Sequence, residues 1–449
     1  MKFTRENLRR FTPAQIIVFY YFLAITFSFI VLNLPGVYLP GVHVSFIDSL
    51  FTAVSAVSVT GLTTINIGET YSVFGLSMIM LVLQVGGIGI MSIGTFFWLL
   101  IKKRIGMRER QLIMVDHNQY SLAGVVYLIR QIVKIIVAIE IIGGLIFTFY
   151  IRSSYDTFGE AFLNGIFMSV SATTNTGFDI TGESLMLYFD DYFIQTITML
   201  LIILGAIGFP VLIEVKSFFS KKVPNFRFSL FTKITTATFG ILLIWGAFLI
   251  FILESMNSFK GMALHEKVFT ALFHSVSSRS AGLTTFDVTK FSDATDLVIS
   301  SLMFIGASPS SVGGGIRTTT FAIAILFLIN FARGNEVIHI FKRQIKLIDI
   351  FRAYAVILLA VLMVFIAMIL LLITEPEMSV IALLFEITSA FGTCGMSLGI
   401  TADLSVAGKV IIMILMFIGR VGLISFLFTL GGKTKKMHYH FPKERVIIG

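Results

Sequence analysis

Three apolar stretches, residues 12–34, 348–374 and 404–430, constrain this chain more than any other feature. Each is longer than the roughly 20 residues that an α-helix needs to cross a bilayer. Hydrophobic residues make up 56% of the 449 positions and charged residues 13%, which is too little charge to cover a soluble protein of this length. We therefore predict an all-α polytopic membrane protein embedded in a lipid bilayer.

The basic residues predict the orientation of the chain. Five short segments carry most of the 34 Lys and Arg residues, namely 1–12, 102–120, 216–233, 332–352 and 431–449. Because cytoplasmic loops of membrane proteins are enriched in Lys and Arg, we expect these segments and both termini to face the cytoplasm, with the protein in the plasma membrane. The net charge of +9 is then a signal of topology, and no nucleic-acid partner is expected.

Five cytoplasmic segments delimit four membrane units, each with two long apolar helices and a short apolar segment between them. The short segments lie near residues 44–57, 159–173, 264–278 and 378–391 and suit re-entrant half-helices, since they cannot span a bilayer. The predicted boundaries are 1–104 for unit 1, 105–221 for unit 2, 222–347 for unit 3, 348–432 for unit 4 and 433–449 for a cytoplasmic tail. This organisation predicts a pseudo-fourfold pore of eight spanning helices and four half-helices.

A sequence motif repeats in the four short segments. Each contains a Phe that precedes a Gly by nine or ten residues, and a Ser stands six residues before the Gly in units 1, 2 and 4, whereas unit 3 has Val276 there. The second long helix of each unit carries a further pair of small or helix-breaking residues at a matching distance. The pairs are Gly86 and Gly89, Gly205 and Gly208, Gly306 and Pro309, and Gly419 and Gly422.

The short segments predict a filter made of backbone carbonyls. Non-helical chain at membrane depth must line a wet cavity or lie within protein, and rings of carbonyl oxygens can replace the hydration shell of a cation. The side chains before each glycine are mostly small and uncharged, and no Asp or Glu ring appears, which favours small monovalent cations. The predicted filter residues are Val59, Thr60, Gly61, Asn175, Thr176, Gly177, Ser280, Ala281, Gly282, Thr393, Cys394 and Gly395.

These features together resemble the Trk/Ktr/HKT superfamily of K⁺ transporters over essentially the whole chain. Eight spanning helices and this length look closest to the bacterial Ktr membrane subunit of the KtrB or KtrD type. The resemblance implies that Gly61, Gly177, Gly282 and Gly395 are selectivity-filter glycines with K⁺ bound there as the transported ion. Because serine at the first of these positions goes with Na⁺ selectivity in plant members, Gly61 favours K⁺.

The same resemblance implies the partners of the chain. It implies a homodimer with one pore per subunit, and it relates the ending at residues 441–449 to a tail that takes part in the dimer contact. It also implies a cytosolic ring of regulatory subunits of the RCK/KTN type. No cofactor is expected in this chain, and the regulatory nucleotide is expected on the partner subunit.

The second helix of unit 3 is interrupted by a segment rich in Gly and Ser, which the resemblance identifies as an intramembrane gating loop. Pro removes a backbone donor and three consecutive glycines weaken the helix further. Arg420 lies within the last apolar stretch, where an Arg is costly, and we expect it to donate hydrogen bonds to carbonyls of this loop and to place a positive charge in the ion path. The predicted gate comprises Gly306, Ala307, Ser308, Pro309, Ser310, Ser311, Val312, Gly313, Gly314, Gly315, Arg317 and Arg420.

The sequence contains a further charge near the predicted filter and leaves one alternative function open. Arg279 stands three residues before Gly282, and we expect it to point behind the filter and to pair with Glu386. An ion-coupled secondary carrier of a cationic solute is the main alternative function, although carriers usually show inverted repeats and midplane charges. No cluster of catalytic residue types is apparent, so an enzyme is not expected.

Overall fold

Four long apolar helices dominate the computed structural model, which describes residues 12–100, 105–116, 124–220, 226–335 and 337–423 together with the isolated residues 426 and 444. The helices are Pro13–Leu32, Val126–Ser154 including a final 3-10 turn, Leu230–Glu254 and Leu347–Thr374. Within the described ranges these four are long and apolar enough to cross a bilayer, and a bent helix pair in unit 2 raises the number to five. The predicted tail at 433–449 and the first eleven residues lie outside the described residues, apart from position 444.

The helices follow one another with short connections. In unit 1 they are α1 Pro13–Leu32, α2 Phe46–Ser58, α3 Ile67–Thr70, α4 Val73–Ile88 and α5 Ile90–Leu100. In unit 2 they are α6 Met107–Asp116, α7 Val125–Tyr150, α8 Phe158–Thr173, α9 Tyr192–Ala206 and α10 Phe209–Phe219. In unit 3 they are α11 Leu230–Glu254, α12 Leu264–Ser277, α13 Asp293–Ile305 and α14 Thr318–Ala332. A two-stranded antiparallel hairpin, β1 His339–Ile340 and β2 Arg343–Gln344, precedes α15 Leu347–Thr374, α16 Val380–Gly392 and α17 Val406–Val421 of unit 4.

The short apolar segments form helices α2, α8, α12 and α16, and their first turns show why each begins where it does. The hydroxyl groups of Ser45, Thr157 and Ser379 accept hydrogen bonds from backbone N–H groups three residues later. In α12 the side chain of Glu266 accepts a hydrogen bond from the backbone N–H of Ala263 at 2.7 Å. Because such caps satisfy donors that the helix itself leaves free, each short helix has a defined start.

The second apolar helix is interrupted in units 1 and 2 as well as in unit 3, where the sequence predicts a break, and in unit 4 it ends at Val421 before Gly422. Gly89, Gly208 and Gly422 stand at the breaks of units 1, 2 and 4 with φ of 93°, 102° and 89°. In unit 3 the residue before α14 is Arg317, with φ of 79°. The two halves in unit 2 meet at a bend of 104°. Positive φ is incompatible with a regular right-handed α-helix, so each of these residues interrupts or ends the helix that precedes it.

Contacts between distant parts of the chain bring the first and last units together. Lys409 of α17 forms an ion pair of 2.8 Å with Asp48 of α2, and α17 also packs against α2. The segments that follow Gly177 of unit 2 and Gly282 of unit 3 meet as well, because the backbone N–H of Leu185 donates to the carbonyl of Thr284 at 2.9 Å. The first and last units are thereby neighbours.

Candidate ion pathway

The chain leaves each short helix through a strand whose backbone is left-handed at one or two residues. Val59, Asn175 and Thr393 occupy equivalent positions, two residues before the glycine, and have φ of 58°, 53° and 49°. The glycines that follow, Gly61, Gly177, Gly282 and Gly395, have φ of 95°, 74°, 67° and 94°. Glycine adopts this backbone without the steric cost that other residues bear. The strand of unit 3 lacks the left-handed residue, in line with its motif being one residue shorter.

The serine six residues before the glycine holds the strand against its own helix. The hydroxyls of Ser55 and Ser389 accept hydrogen bonds from the backbone N–H groups of Gly61 and Gly395 at 3.0 and 3.1 Å. In unit 2 the hydroxyl of Ser171 instead donates to the carbonyl of Phe178 at 2.6 Å. Each serine therefore fixes the backbone at or next to the glycine.

Unit 3 departs from this serine pattern at Val276, and the next residue supplies the missing hydroxyl. Ser277 donates a hydrogen bond to the carbonyl of Leu283 at 2.5 Å, which matches the contact of Ser171 in unit 2. The carbonyl of Ser277 also accepts from the backbone N–H of Gly282 at 3.1 Å. Sequence reasoning missed Ser277, although the shift of the motif by one residue was the signal that could have found it.

The four glycines lie against one another's strands in a closed cycle. A Cβ atom added at Gly61 would overlap the carbonyl oxygen of Thr176, and one at Gly177 would overlap that of Ala281. Likewise a Cβ at Gly282 would overlap the carbonyl oxygen of Cys394, and one at Gly395 would overlap that of Thr60. In each pair the oxygen belongs to the residue just before the glycine of another unit. The order runs from unit 1 through units 2, 3 and 4 and returns to unit 1, so the four strands form a closed ring.

A cavity of about 280 Å³ opens beside two of these glycines. It is lined by Gly61, Gly177 and the loops that follow them, including Asp179. Partial burial raises the pKa of Asp179 above its usual range, and hydrogen bonds from the Thr181 hydroxyl and the Ser184 backbone act in the opposite direction. Asp179 is the one carboxylate among the residues that line this cavity, and sequence reasoning did not single it out.

Glycines of the second helices allow those helices to approach the ends of the short helices. A Cβ atom at Gly86 would lie 2.6 Å from the carbonyl oxygen of Val57, and one at Gly205 or Gly419 would overlap the carbonyl oxygen of Thr173 or Phe391. Small residues are common where membrane helices pack closely. This explains the first glycine of the pair in units 1, 2 and 4.

The glycine-rich segment of unit 3 forms a closed loop between α13 and α14. At its base the backbone N–H of Ala307 donates to the carbonyl of Gly314 at 3.2 Å, and the backbone N–H of Arg317 donates to the carbonyl of Ile305 at 2.9 Å. The guanidinium of Arg317 bonds to the carbonyls of Ser308 and Gly313 within the loop. Ser308, Val312, Gly313 and Gly314 are all buried, so this is an interior loop rather than a surface kink.

The same loop fills the break in the second helix of unit 2. The backbone N–H of Ser308 donates to the carbonyl of Ala206 at 3.1 Å, and the carbonyl of Ser310 accepts from the first N–H of α10, that of Phe209, at 2.8 Å. The ends of α9 and α10 thereby find partners for backbone groups that a break leaves free. The loop is thus bonded to unit 2 as well as to its own helices.

Arg420 reaches this loop from the end of α17. Its guanidinium donates hydrogen bonds to the carbonyl of Val312 in the loop and to the carbonyl of Gly86 in α4. The side chain is buried, and in the described part of the chain no carboxylate pairs with it. Arg420 therefore links the loop to units 1 and 4 through backbone carbonyls.

The predicted pair of Arg279 and Glu386 is wrong. Arg279 donates from Nε to the carbonyl of Gly306 at 3.0 Å, whereas Glu386 accepts hydrogen bonds from the hydroxyls of Ser397 and Thr401. Both side chains are fully buried, but they point to different neighbours. The sequence indicated that Arg279 turns away from the ion path, yet it could not indicate that a backbone carbonyl 27 residues later is its partner.

Comparison with known proteins gives the family of this fold. Residues 4–433 match the family model of TrkH, a cation transport protein. The chain is 54% identical over 442 residues to the Ktr system potassium uptake protein D of Bacillus subtilis, with 98% of each chain covered. It is 35% identical to the Ktr system potassium uptake protein B of the same organism, covering 98% of this chain and 97% of the relative. It is also 33% identical over 98% of both chains to the potassium/sodium uptake protein NtpJ of Enterococcus hirae.

The fold is similar to that of a solved transporter. The crystal structure of the potassium transporter TrkH from Vibrio parahaemolyticus aligns with a TM-score of 0.74 over 95% of this chain and 86% of that chain. The identity between the two is 18%, so this comparison concerns the fold alone. The helical architecture predicted from the sequence is confirmed at that level.

Proposed function

The chain belongs to the TrkH family of cation transport proteins, and on that premise we propose that it is the ion-conducting subunit of a K⁺ uptake system. The family is one of transporters and not of enzymes. The observation that carries the proposal is the closed cycle in which the carbonyls of Thr60, Thr176, Ala281 and Cys394 lie against the glycines of other units. Carbonyl oxygens gathered around one centre can replace the water that a cation loses on entering the bilayer.

The chemistry of the four strands favours a monovalent cation. The predicted filter residues carry no acidic side chain, and their hydroxyl, amide, thiol and aliphatic groups leave backbone carbonyls as the coordinating groups, whereas a divalent cation prefers several carboxylates. Within the described ranges no group of three or more His, Cys, Asp or Glu residues could hold a metal ion. The names of two relatives refer to potassium uptake and that of the third to potassium and sodium. K⁺ is accordingly the proposed substrate, with Gly61 completing the ring.

The loop at residues 306–315 acts in this proposal as the gate. It is buried, and it is hydrogen-bonded to unit 2 and to Arg420 of unit 4. Arg420 also bonds to Gly86 of unit 1 and brings a positive charge to the loop. A buried positive charge beside an ion path repels cations because the surrounding dielectric is low. We propose that the loop and Arg420 together obstruct conduction, and that displacement of the loop permits it.

The regulatory apparatus lies outside this chain in the proposal. Two identical subunits, each with its own pore, assemble in the plasma membrane with their termini in the cytoplasm, where basic segments favour that orientation. A cytosolic ring of RCK/KTN subunits binds the regulatory nucleotide and acts on the gate. The word "system" in the names of two relatives supports a separate partner.

Flux measurements on purified protein in proteoliposomes test the proposal. A gradient of K⁺ or Rb⁺ alone should drive uptake, with both ions preferred over Na⁺ and with no second solute required. Protein-free vesicles provide the background. Uptake that appears only with a co-transported or counter-transported solute would instead establish an ion-coupled carrier and would contradict a conducting pore.

A further inference from the structure

Arg279 is a buried cation without an acidic partner. Its side chain is fully buried, and no carboxylate forms an ion pair with it in the described part of the chain. The guanidinium carbon lies 5.0 Å from the centroid of the Phe239 ring, within the range of a cation–π interaction. Its Nη1 atom has no hydrogen-bond partner among the described residues. Because a buried charge is costly unless it is bonded, the stability of Arg279 in this position depends strongly on its few partners.

The main partner of Arg279 is a single backbone carbonyl at the neck of the loop. Both Nε and Nη2 donate to the carbonyl oxygen of Gly306, at 3.0 and 2.5 Å. Gly306 ends α13 with φ of 69°, and the residue after it pairs with Gly314 on the returning side of the loop. A side chain of the filter strand is thus attached where the proposed gate begins.

The strands of units 3 and 4 also touch the far side of the loop. A Cβ atom at Gly313 would overlap the hydroxyl of Ser280, and one at Gly314 would lie 2.7 Å from the hydroxyl of Thr393. In units 1 and 2 the equivalent residues, Val59 and Asn175, lie instead against Gly86 and Gly205 of the second helices. The strands of units 3 and 4 therefore rest on the loop, whereas these two residues of units 1 and 2 rest on second helices.

We propose that Arg279 is a positioning residue that couples the loop to the selectivity filter, so that displacement of the loop shifts the third filter strand. This inference rests on the proposed gate and deepens it. If the loop moves, the carbonyl of Gly306 either leaves a buried guanidinium without its main partner or takes that side chain with it. If the side chain moves with the carbonyl, the charge stays bonded and the backbone of residues 279–282 follows the loop. Opening and ion selectivity become linked properties.

A double-mutant cycle between Arg279 and Arg420 tests the coupling. The quantities measured are Rb⁺ flux into proteoliposomes and the ratio of Rb⁺ to Na⁺ flux. Arg420→Ala releases the loop at Val312 and is expected to raise flux about tenfold, as loss of charged hydrogen bonds implies, and to lower the ratio at the same time. In the Arg279→Met background the same Arg420→Ala change should raise flux but leave the ratio unchanged. Met fills much of the space of the Arg stem without holding the carbonyl.

Two further variants guard against a trivial loss of folding. Arg279→Lys keeps the charge but loses one of the two hydrogen bonds to Gly306, and Phe239→Leu removes only the aromatic ring. In both variants Arg420→Ala should still change the ratio of Rb⁺ to Na⁺ flux, but by less than in the wild type. Arg333→Met, at an exposed position after α14, is the matched control. In this background Arg420→Ala should change flux and the ratio of Rb⁺ to Na⁺ flux as it does in the wild type. Thermal unfolding and gel filtration of each variant establish that it is folded.

The possible results separate the coupling from the gate. If Arg420→Ala changes the ratio of Rb⁺ to Na⁺ flux equally with and without Arg279, or in neither background, the coupling is overturned. An increase in flux in the same experiments would still support the gate. Flux that does not respond to Arg420→Ala in either background would overturn the gate, and with it the coupling that rests on it. A ratio that changes only when Arg279 is present supports both.

Discussion

Arg420 donates a hydrogen bond to the carbonyl oxygen of Val312, which joins the end of α17 to the middle of the glycine-rich loop. A second bond from the same guanidinium goes to Gly86 of α4. One side chain of unit 4 thus bonds both the loop of unit 3 and the second helix of unit 1. Neither contact is to a carboxylate, so the positive charge remains available to repel a cation.

Arg420→Ala is therefore expected to increase K⁺ and Rb⁺ flux, because it removes both the bond to the loop and the positive charge. Hydrogen bonds to charged groups contribute roughly 1.5–3 kcal/mol, which corresponds to a change of about tenfold or more. Rb⁺ uptake into proteoliposomes measures the effect. Arg420→Lys, which keeps the charge, should give a smaller increase, and unchanged flux in Arg420→Ala would exclude the barrier role.

Gly314→Ala is expected to raise flux by displacing the loop from the filter. The added methyl group would lie 2.7 Å from the hydroxyl and 2.8 Å from the methyl group of Thr393, closer than nonbonded atoms can approach. Thr393→Ala removes both atoms, so the double variant should return flux toward the wild-type value. Additive effects of the two changes in the same Rb⁺ uptake assay would show that this contact does not hold the loop.

External acid is expected to weaken cation uptake through Asp179, which lines the cavity beside Gly61 and Gly177. Burial raises the pKa of this carboxyl above the ordinary value of 3.8, so it becomes neutral at a higher pH than an exposed Asp as the pH falls. A negative charge concentrates cations at the mouth of a pathway, and its loss should increase the half-saturating K⁺ concentration. The measurement is K⁺-dependent uptake across a series of external pH values above 3.8.

Asp179→Asn separates this effect from other acid effects. The variant should have a raised half-saturating K⁺ concentration at every pH, with little further change on acidification. Glu377→Gln, at an exposed position before α16, is the control and should behave as the wild type. A wild-type acid response that persists unchanged in Asp179→Asn would rule out this carboxyl as its source.

Glu254→Gln is expected to destabilise the protein. The carboxylate of Glu254 ends α11 and accepts hydrogen bonds from the backbone and hydroxyl of Ser292 at 3.0 and 2.6 Å, and from the hydroxyl of Ser258 at 2.7 Å. An amide replaces one acceptor oxygen with a donor, and loss of a hydrogen bond to a charged group costs about 2 kcal/mol of unfolding free energy. The melting temperature of the detergent-solubilised protein should fall. An equal fall in melting temperature in Glu377→Gln would show that the hydrogen bonds of Glu254 make no specific contribution to stability.

The short helices could be predicted from sequence because their signals are local. The motif of Phe, Ser and Gly predicted segments whose ends agree with α2, α8, α12 and α16 within two residues. Capping by Ser45 or Ser379 involves residues only three positions apart, and such spacings are visible in a sequence. The placement of the glycines in one cycle is compatible with that local pattern, but it depends on the packing of all four units.

The partners of the buried arginines could not be predicted, because backbone carbonyls carry no sequence signal. The sequence predicts Glu386, an acid in a neighbouring half-helix, as the partner of Arg279, whereas the carbonyl of Gly306 is its partner. The sequence also does not identify Gly89, Gly208 and Gly422 as helix breaks, because an isolated glycine is tolerated in a helix at a cost of only about 1 kcal/mol. Only tertiary contacts such as those of the loop with Ala206 and Phe209 decide between a packed glycine and an interrupted helix.

The carbonyl filter is tested most directly by cation flux through Gly61→Ser beside the wild type and Gly41→Ser. Gly61 and Gly41 both have positive φ, but a Cβ at Gly61 meets the carbonyl of Thr176, whereas one at Gly41 meets nothing within 4 Å. With K⁺, Rb⁺ and Na⁺ compared in the same proteoliposome assay, Gly61→Ser should lose the preference for K⁺ and Rb⁺ over Na⁺, and Gly41→Ser should keep it. Equal selectivity in all three proteins would mean that the four glycines serve packing alone, which contradicts a filter of backbone carbonyls.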